Sequence, residues 1–234
     1  MSISSCRLIR WPLNLTARGK RLLGCLLWAV ALTSLFPARV WADAGLDEYN
    51  LAVGLYKQSR WETAAQRFRA FTKTYDKHEK MPLARLYLGL TLVNLEDYKA
   101  ARDEFRTFVK DYPQNTNVPQ ARYRVAECSY LMEDFAAARV ELENYLKDFP
   151  KDTFHDHALP YLADAQLRSN DPSAALINFQ QAIDRFPEGP LVDDARFGRA
   201  RALEALKKDD EAIAQYKELI ARPAGPRAAD SQFH

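Results

Sequence analysis

The stretch Leu95–Pro113, LEDYKAARDEFRTFVKDYP, recurs along the chain at a fixed spacing of 37 residues. One period earlier stands SRWETAAQRFRAFTKTYD (59–76), and one period later MEDFAAARVELENYLKDFP (132–150). Two further steps reach NDPSAALINFQQAIDRFP (170–187) and KDDEAIAQYKELIARPA (208–224). A period of about 20 to 50 residues is typical of a solenoid, in which similar units stack in one direction.

Each copy carries the pattern of an amphipathic helix. A small residue recurs once per period and a large apolar residue follows it four positions later: Ala64, Ala101, Ala138, Ala175 and Ala212, then Phe68, Phe105, Leu142, Phe179 and Tyr216. Residues spaced in this way lie on one helical face. Aspartates suited to N-caps precede three copies (Asp97, Asp134, Asp171), and prolines follow the same copies (Pro113, Pro150, Pro187). The pattern predicts the second helix of a helix pair.

The first helix of each pair is marked by small residues, which allow neighbouring helices to approach closely. Three columns share this property: Ala52, Gly89, Ala126, Ala163 and Ala200; Gly54, Thr91, Cys128, Ala165 and Ala202; Ala84, Ala121, Ala158 and Ala195. Pro82 and Pro119 suit a first helical turn, where a missing N–H costs nothing. In the fourth unit Pro160 comes four positions later in the repeat. We therefore expect that helix to start late or to be kinked.

Leu88-Gly89-x-x-Leu92, then Ala101-x-x-x-Phe105 and Pro113, resembles the tetratricopeptide repeat over roughly residues 46–220. The period is longer than the family's usual value of about 34, and Arg85 stands where the family has an aromatic residue. The segment from Ala121 to Glu127 and the Asp-Phe-Pro ending are similar to envelope members. Those members are the Tol–Pal-associated periplasmic repeat protein and the repeat lipoprotein of the outer-membrane barrel assembly machinery. The resemblance implies an all-α, right-handed superhelix of five helix-turn-helix units that binds proteins without catalysis.

Residues 1–42 differ in composition from the rest of the chain. They hold six basic residues and no acidic one, an uncharged apolar run of 15 residues (Leu22–Phe36), and small residues at Val40 and Ala42. This order predicts a secretory signal cleaved after Ala42, because the run is shorter than a membrane-spanning helix. An uncleaved membrane anchor is the alternative. A lipoprotein is disfavoured because Cys25 lies near the beginning of the apolar run instead of at its end.

The predicted domains are therefore a signal peptide (1–42), a solenoid (43–222) and a disordered tail (223–234) whose prolines and glycine oppose helix formation. The solenoid units are predicted at 45–81, 82–118, 119–155, 156–192 and 193–222.

Charge argues against nucleic acid as the partner. The whole chain has 33 basic and 31 acidic residues and a pI of about 8.4. Without the six leader cations, 27 basic residues face 31 acidic ones. A nucleic-acid-binding domain should carry a basic face, and this part contains no basic run. Cys128 is then the only cysteine left, and we expect it to be a small packed residue.

No motif of catalysis or cofactor binding stands out. The sequence has no Gly-rich phosphate loop, no Gly-x-Ser-x-Gly and no Cys-x-x-Cys, so we expect neither an enzyme nor a cofactor. His155-Asp156-His157 could hold a transition metal, but no third ligand is apparent, and a solvated helix start is the favoured interpretation. Asp193-Asp194 and Asp209-Asp210 fit helix N-termini, where carboxylates complement the helix dipole.

Binding is therefore expected on the surface of the first helices, which in such solenoids usually lines the concave side. The candidate contact residues are Tyr49, Tyr56, Leu86, Tyr123, Arg124, Tyr130, Phe197 and Arg201. Tyrosine and arginine are favoured at binding hot spots. The alternative is that these aromatic residues fill the inner core.

The sequence predicts an exported scaffold for a protein or peptide partner in the cell envelope. Two alternatives are an interaction region of a longer polypeptide or enzyme, and a self-associating structural protein. Self-association would use the last unit. Some of its apolar stripe (Ile213, Tyr216, Leu219 and Ile220) is expected to pack on its own first helix and on the fourth unit. The flank left over would be covered by a second copy, a partner or downstream sequence.

Overall fold

A computed structural model describes residues 43–221, which form ten α-helices of similar length. In chain order they are α1 (Ala44–Lys57), α2 (Trp61–Thr74), α3 (Met81–Asn94), α4 (Tyr98–Asp111), α5 (Val118–Leu131), α6 (Phe135–Asp148), α7 (His155–Arg168), α8 (Pro172–Arg185), α9 (Val192–Ala205) and α10 (Asp209–Ile220). No strand occurs among these residues. The predicted all-α repeat fold is confirmed.

Each helix packs against the next one in the chain, so that the helices form five consecutive pairs. The first helices of neighbouring units also contact one another: α1 contacts α3, α5 contacts α7, and α7 contacts α9. The first helices consequently share one side of the stack. We call the surface formed by α1, α3, α5, α7 and α9 the first-helix face.

The helix boundaries follow from local chemistry that repeats with the sequence. The carboxylates of Asp97, Asp134 and Asp171 each accept a hydrogen bond of 3.2 Å from the backbone N–H three residues later. This satisfies one of the donors left open at a helix start. At the other end, α4, α6 and α8 each stop two residues before a proline. The predicted N-caps and helix ends are confirmed.

The turn inside each pair depends on one residue in the left-handed region. Five residues 37 positions apart have φ near +60°: Ser59, Glu96, Glu133, Asn170 and Lys207. The backbone N–H that follows each of them bonds back to the last turn of the first helix, for example Asp97 N–H to the Leu92 carbonyl at 3.0 Å. This six-to-one bond marks a Schellman ending. The same aspartate then caps the second helix, so two helices are joined by a very short turn.

The core lies between the two layers of helices. Ala64, Ala101, Ala138 and Ala175 are fully buried, and Phe68 and Phe105 beside them are also inaccessible. Burying a large apolar side chain contributes roughly 1.5–3 kcal/mol, and the small column lets the helices come close enough to do so. Cys128 is buried in its column, as expected.

The fourth unit corrects one expectation. Helix α7 begins at His155, one period after Val118 at the start of α5, so the predicted late start is wrong. The first turn forms without help from Pro160, since the Ala158 N–H bonds to the Phe154 carbonyl at 2.8 Å. Pro160 then sits inside the helix, where it leaves the Asp156 carbonyl without its usual intrahelical donor.

The predicted signal peptide (1–42) and the predicted tail (223–234) lie outside the described residues, and the unit boundaries stay predictions. None of the helices within residues 43–221 is long and apolar enough to cross a membrane.

Candidate functional site

Three of the eight residues predicted to contact a partner belong to the core instead. Tyr123 is 0% exposed, Leu86 4% and Tyr49 8%. A side chain with so little accessible surface cannot supply much contact area to another protein. For these three residues the alternative interpretation, filling of the inner core, is the one that the structure supports.

The physical reason is the direction in which this column points. The Tyr49 ring faces the second helix of its own unit, 6.5 Å from Phe68 and 5.9 Å from Phe71 between centroids. Tyr123 lies 5.8 Å from the Tyr145 ring and stacks on Phe154 at 4.8 Å. Both tyrosine rings therefore fill the core between the two layers of helices.

Two other predicted tyrosines remain half-buried on the first-helix face. The Tyr56 ring packs edge-on against Trp61 and Tyr87, at 5.1 and 5.2 Å. Tyr130 stacks on Tyr161 of the next unit at 4.6 Å, and its hydroxyl donates a 2.7 Å hydrogen bond to Asp164. Burial and the Asp164 carboxylate both raise the pKa of Tyr130, so this hydroxyl remains a donor at neutral pH. These rings are held rigidly and are still accessible.

Arg124 is fixed by a network in the middle of the face. One of its terminal nitrogens donates to Glu127, which also accepts a 3.0 Å hydrogen bond from the Tyr123 hydroxyl. Its guanidinium lies over the rings of Tyr123 and Phe154, at 5.4 and 5.6 Å. The Nε of Arg124 is buried without a hydrogen-bond partner among the described residues. The arginine is thus preorganised in place before any partner arrives.

Phe197 and Arg201, the last two predicted residues, line a pocket of about 340 Å³ between α5, α7 and α9. Tyr130 and Tyr161 lie on the same pocket. Three of the predicted contact residues, from the third and fifth units, are therefore brought together in space. Whether any of the five predicted residues outside the core contacts a partner stays a prediction.

Several residues of this face were missed by sequence reasoning. The repeat itself contains the signal, because Tyr87, Tyr161 and Gly198 occupy the same column as Arg124. Asp164 likewise lies one period after Glu127 and one before Arg201. Extending the candidate residues along their columns would have pointed to Tyr161, Asp164 and Gly198, although not to the pocket itself.

His155 is not part of a solvated helix start, contrary to expectation. It is 3% exposed, and its Nε2 lies 2.7 Å from the Phe149 carbonyl. Arg185 approaches Nδ1 at 3.2 Å. Arginine can only donate, so Nδ1 accepts and Nε2 carries the proton that bonds to Phe149. This histidine ties the loop before α7 to α8. Within residues 43–221 no cluster of three or more potential metal ligands occurs.

Cys128 lacks the surroundings of a reactive thiol. Burial raises the pKa of its thiol to about 12, with a further contribution from Glu127. The thiolate is the reactive form of cysteine, and it is scarcely populated here at neutral pH.

The comparison with family models assigns the repeat. The tetratricopeptide repeat model matches residues 49–116, 92–153 and 162–229, which together span more than half of the chain. No curated protein matches the chain.

Solved structures with the same fold include MamA (residues 41 to the end) of Desulfovibrio magneticus RS-1. It is 18% identical, with a TM-score of 0.65 over 76% of this chain and 93% of that one. MamA AMB-1 is 14% identical, with a TM-score of 0.62 over 79% and 96% of the two chains. A putative kinesin light chain of Podosopora anserina with nearly identical TPR-like repeats is also 14% identical, with a TM-score of 0.61 over 76% and 94%. At these identities the likeness shows the fold alone.

Proposed function

We propose, since this chain belongs to the tetratricopeptide repeat family, that it is an exported, non-catalytic scaffold that binds a protein partner on its first-helix face. The observation that carries the proposal is the row of rigid, half-buried tyrosines along that face, Tyr56, Tyr87, Tyr130 and Tyr161. Aromatic side chains that are already immobilised lose little entropy when a partner binds. They also supply large contact areas.

The test removes two rings of the row and measures partner capture from envelope extracts. We expect Tyr56→Ser together with Tyr130→Ser to reduce capture at least tenfold, because each lost anchor typically costs about 1–2 kcal/mol or more. The matched control is Val140→Ser with Ile177→Ser on α6 and α8. These two residues are exposed apolar side chains one period apart on second helices.

Circular dichroism must show equal helicity for both double variants. Capture that depends on Val140 and Ile177 instead of the tyrosines would move the binding surface to the second helices and refute the proposal.

The envelope is the proposed site of action. Support comes from the leader-like composition of residues 1–42 and from the similarity of Ala121–Glu127 to envelope members of the family. We expect the protein recovered from an envelope fraction to begin at Asp43, as measured by intact mass. A species that retains residues 1–42 and resists carbonate extraction would instead indicate an uncleaved membrane anchor.

Self-association is a second candidate function, and the end of the solenoid favours it. Arg102 and Leu176 occupy the position of Ile213 in two internal units. Both contact the unit that follows: Arg102 on α4 donates a 3.2 Å hydrogen bond to Ser129 on α5, and Leu176 packs with Ala200 and Leu203. Among the described residues no following unit packs on Ile213, which is 45% exposed, and Ile220 is 37% exposed. An exposed stacking surface of this kind is a place where a second copy of the chain can bind.

For this candidate we expect hydrogen exchange in dilute protein to be faster in α9 and α10 than in α3 to α6. Raising the concentration should slow it, because a second copy would cover Ile213. Ile213→Lys should abolish this concentration dependence, whereas Val140→Lys, on an exposed position of α6, should leave it intact. Uniform protection of all units in a demonstrated monomer would refute self-association through the last unit.

A further inference from the structure

Aromatic residues form part of the wall of the pocket between α5, α7 and α9. The rings of Tyr130 and Tyr161 stack at 4.6 Å with an angle of 27° between their planes, and Phe197 lies on the opposite helix. Phe179 also lines the pocket, but its ring packs closely on Gly198 and is only 2% exposed. Such a wall favours a flat apolar group that can stack or meet a ring edge.

The charged side chains of the pocket differ in whether they have hydrogen-bond partners within the protein. The Asp164 carboxylate accepts hydrogen bonds from the Tyr130 hydroxyl at 2.7 Å and from Arg168 Nε at 2.6 Å. That group is therefore neutralised within the protein. Arg201, in contrast, is half-buried and makes no hydrogen bond or ion pair with any of residues 43–221. Its guanidinium nitrogens are therefore available to donate to an acceptor on a ligand.

The Tyr161 hydroxyl adds a second open donor. It forms no hydrogen bond within the described part of the chain, although its ring is held by the stack on Tyr130. Arginine and tyrosine can both donate to a carboxylate, and such charge-assisted bonds are stronger than neutral ones. The two open donors match a carboxylate and the aromatic rings match a flat apolar group, so a ligand that carries both groups would fit the pocket.

We propose that this pocket binds an aromatic side chain of a partner peptide together with an adjacent carboxylate, which pairs with Arg201 and Tyr161. The inference rests on the proposed function, since it specifies which kind of partner segment the first-helix face receives. A pocket of about 340 Å³ lies at the small end of the range for ligand sites. It therefore suits a side-chain anchor better than a large cofactor.

A doubly charged phosphate fits the pocket less well than a carboxylate does. The pocket's one open arginine gives fewer donors than phosphate sites, which typically use arginine clusters. The acidic group should therefore be a singly charged carboxylate, from an aspartate or glutamate side chain.

The experiment is a calorimetric or NMR titration of the purified chain with three acetylated, amidated tetrapeptides. The first contains phenylalanine followed by glutamate, the second phenylalanine followed by glutamine, and the third alanine followed by glutamate, all flanked by serine. We expect the first to bind about tenfold more tightly than either of the others, because one charge-assisted hydrogen bond is typically worth about that factor. Arg201→Gln should remove the preference for glutamate over glutamine.

Arg69→Gln, on the exposed surface of α2, is the matched control and should keep the preference. Equal binding of the glutamate and glutamine peptides, or a preference that survives in Arg201→Gln, would overturn the assignment. If that happens while the Tyr56 and Tyr130 variants still lose the partner, the pocket assignment fails and the proposed function stands. If capture depends on the second helices while the peptide preference is present, the proposed function fails by itself.

Discussion

Replacing Tyr123 with alanine is expected to lower the free energy of unfolding by about 3–5 kcal/mol, the typical cost of truncating a large aromatic core residue. Tyr123 is fully buried at the centre of the stack, where its ring touches Tyr145 of its own unit and Phe154 before the next. The cavity would open between two units at once. Urea unfolding followed by circular dichroism measures the change.

Tyr123→Phe is the matched control for this prediction. It keeps the ring and removes only the 3.0 Å hydrogen bond to Glu127, which Arg124 continues to bind. We expect it to cost about 0.5–1.5 kcal/mol. If Tyr123→Ala unfolded at the same urea concentration as the unmodified chain, the ring would have to lie on the surface, and the placement of the tyrosine column in the core would be wrong.

The helix positions could be predicted from the sequence because stacking imposes one chemical requirement per column. Ala101 is fully buried where α4 closes on its neighbours, and its small size is repeated in every unit. Asp97 caps its helix with its own side chain, which is a local interaction. Signals of this kind either recur in every unit or depend on residues a few positions away. They can therefore be recognised in the sequence without the tertiary structure.

The direction of the first-helix tyrosines could not be predicted in the same way. Tyr123 and Arg124 are adjacent in sequence, yet one is core and the other lies on the first-helix face. Tyrosine suits both places, because it has an apolar ring and a polar hydroxyl. The side that it takes depends on how far each unit rotates relative to the next, and that rotation is set by contacts between units.

The turns inside the pairs also lack a sequence signal. A left-handed residue after a helix is usually glycine, but here the position holds Ser59, Glu96, Glu133, Asn170 and Lys207. Only asparagine among these is favoured in that region. The Schellman bonds and the packed helices on both sides impose the conformation, so tertiary structure overrides local preference at this column.

The second large effect is expected from Gly198→Ala on α9. An added Cβ would lie 2.2 Å from Cζ of Phe179, whose ring is 2% exposed and cannot swing away. Overpacking of this kind typically costs about 1–3 kcal/mol. The gain in helix propensity from glycine to alanine is only about 1 kcal/mol or less, so the clash should win. We expect net destabilisation by urea unfolding and a smaller pocket, because Phe179 lines it.

Gly54→Ala on α1 should change stability in the opposite direction. It is also a helical glycine with negative φ, and nothing lies within 4 Å of the position that its Cβ would take. Only the propensity effect remains, so we expect stabilisation by about 0.5–1 kcal/mol. Opposite signs for the same substitution would isolate the role of unit stacking, since a preceding unit packs on Gly198 and the structure describes none before Gly54. Stabilisation by both substitutions would mean that Phe179 does not contact α9 closely, and the fourth and fifth units would then pack in a different register.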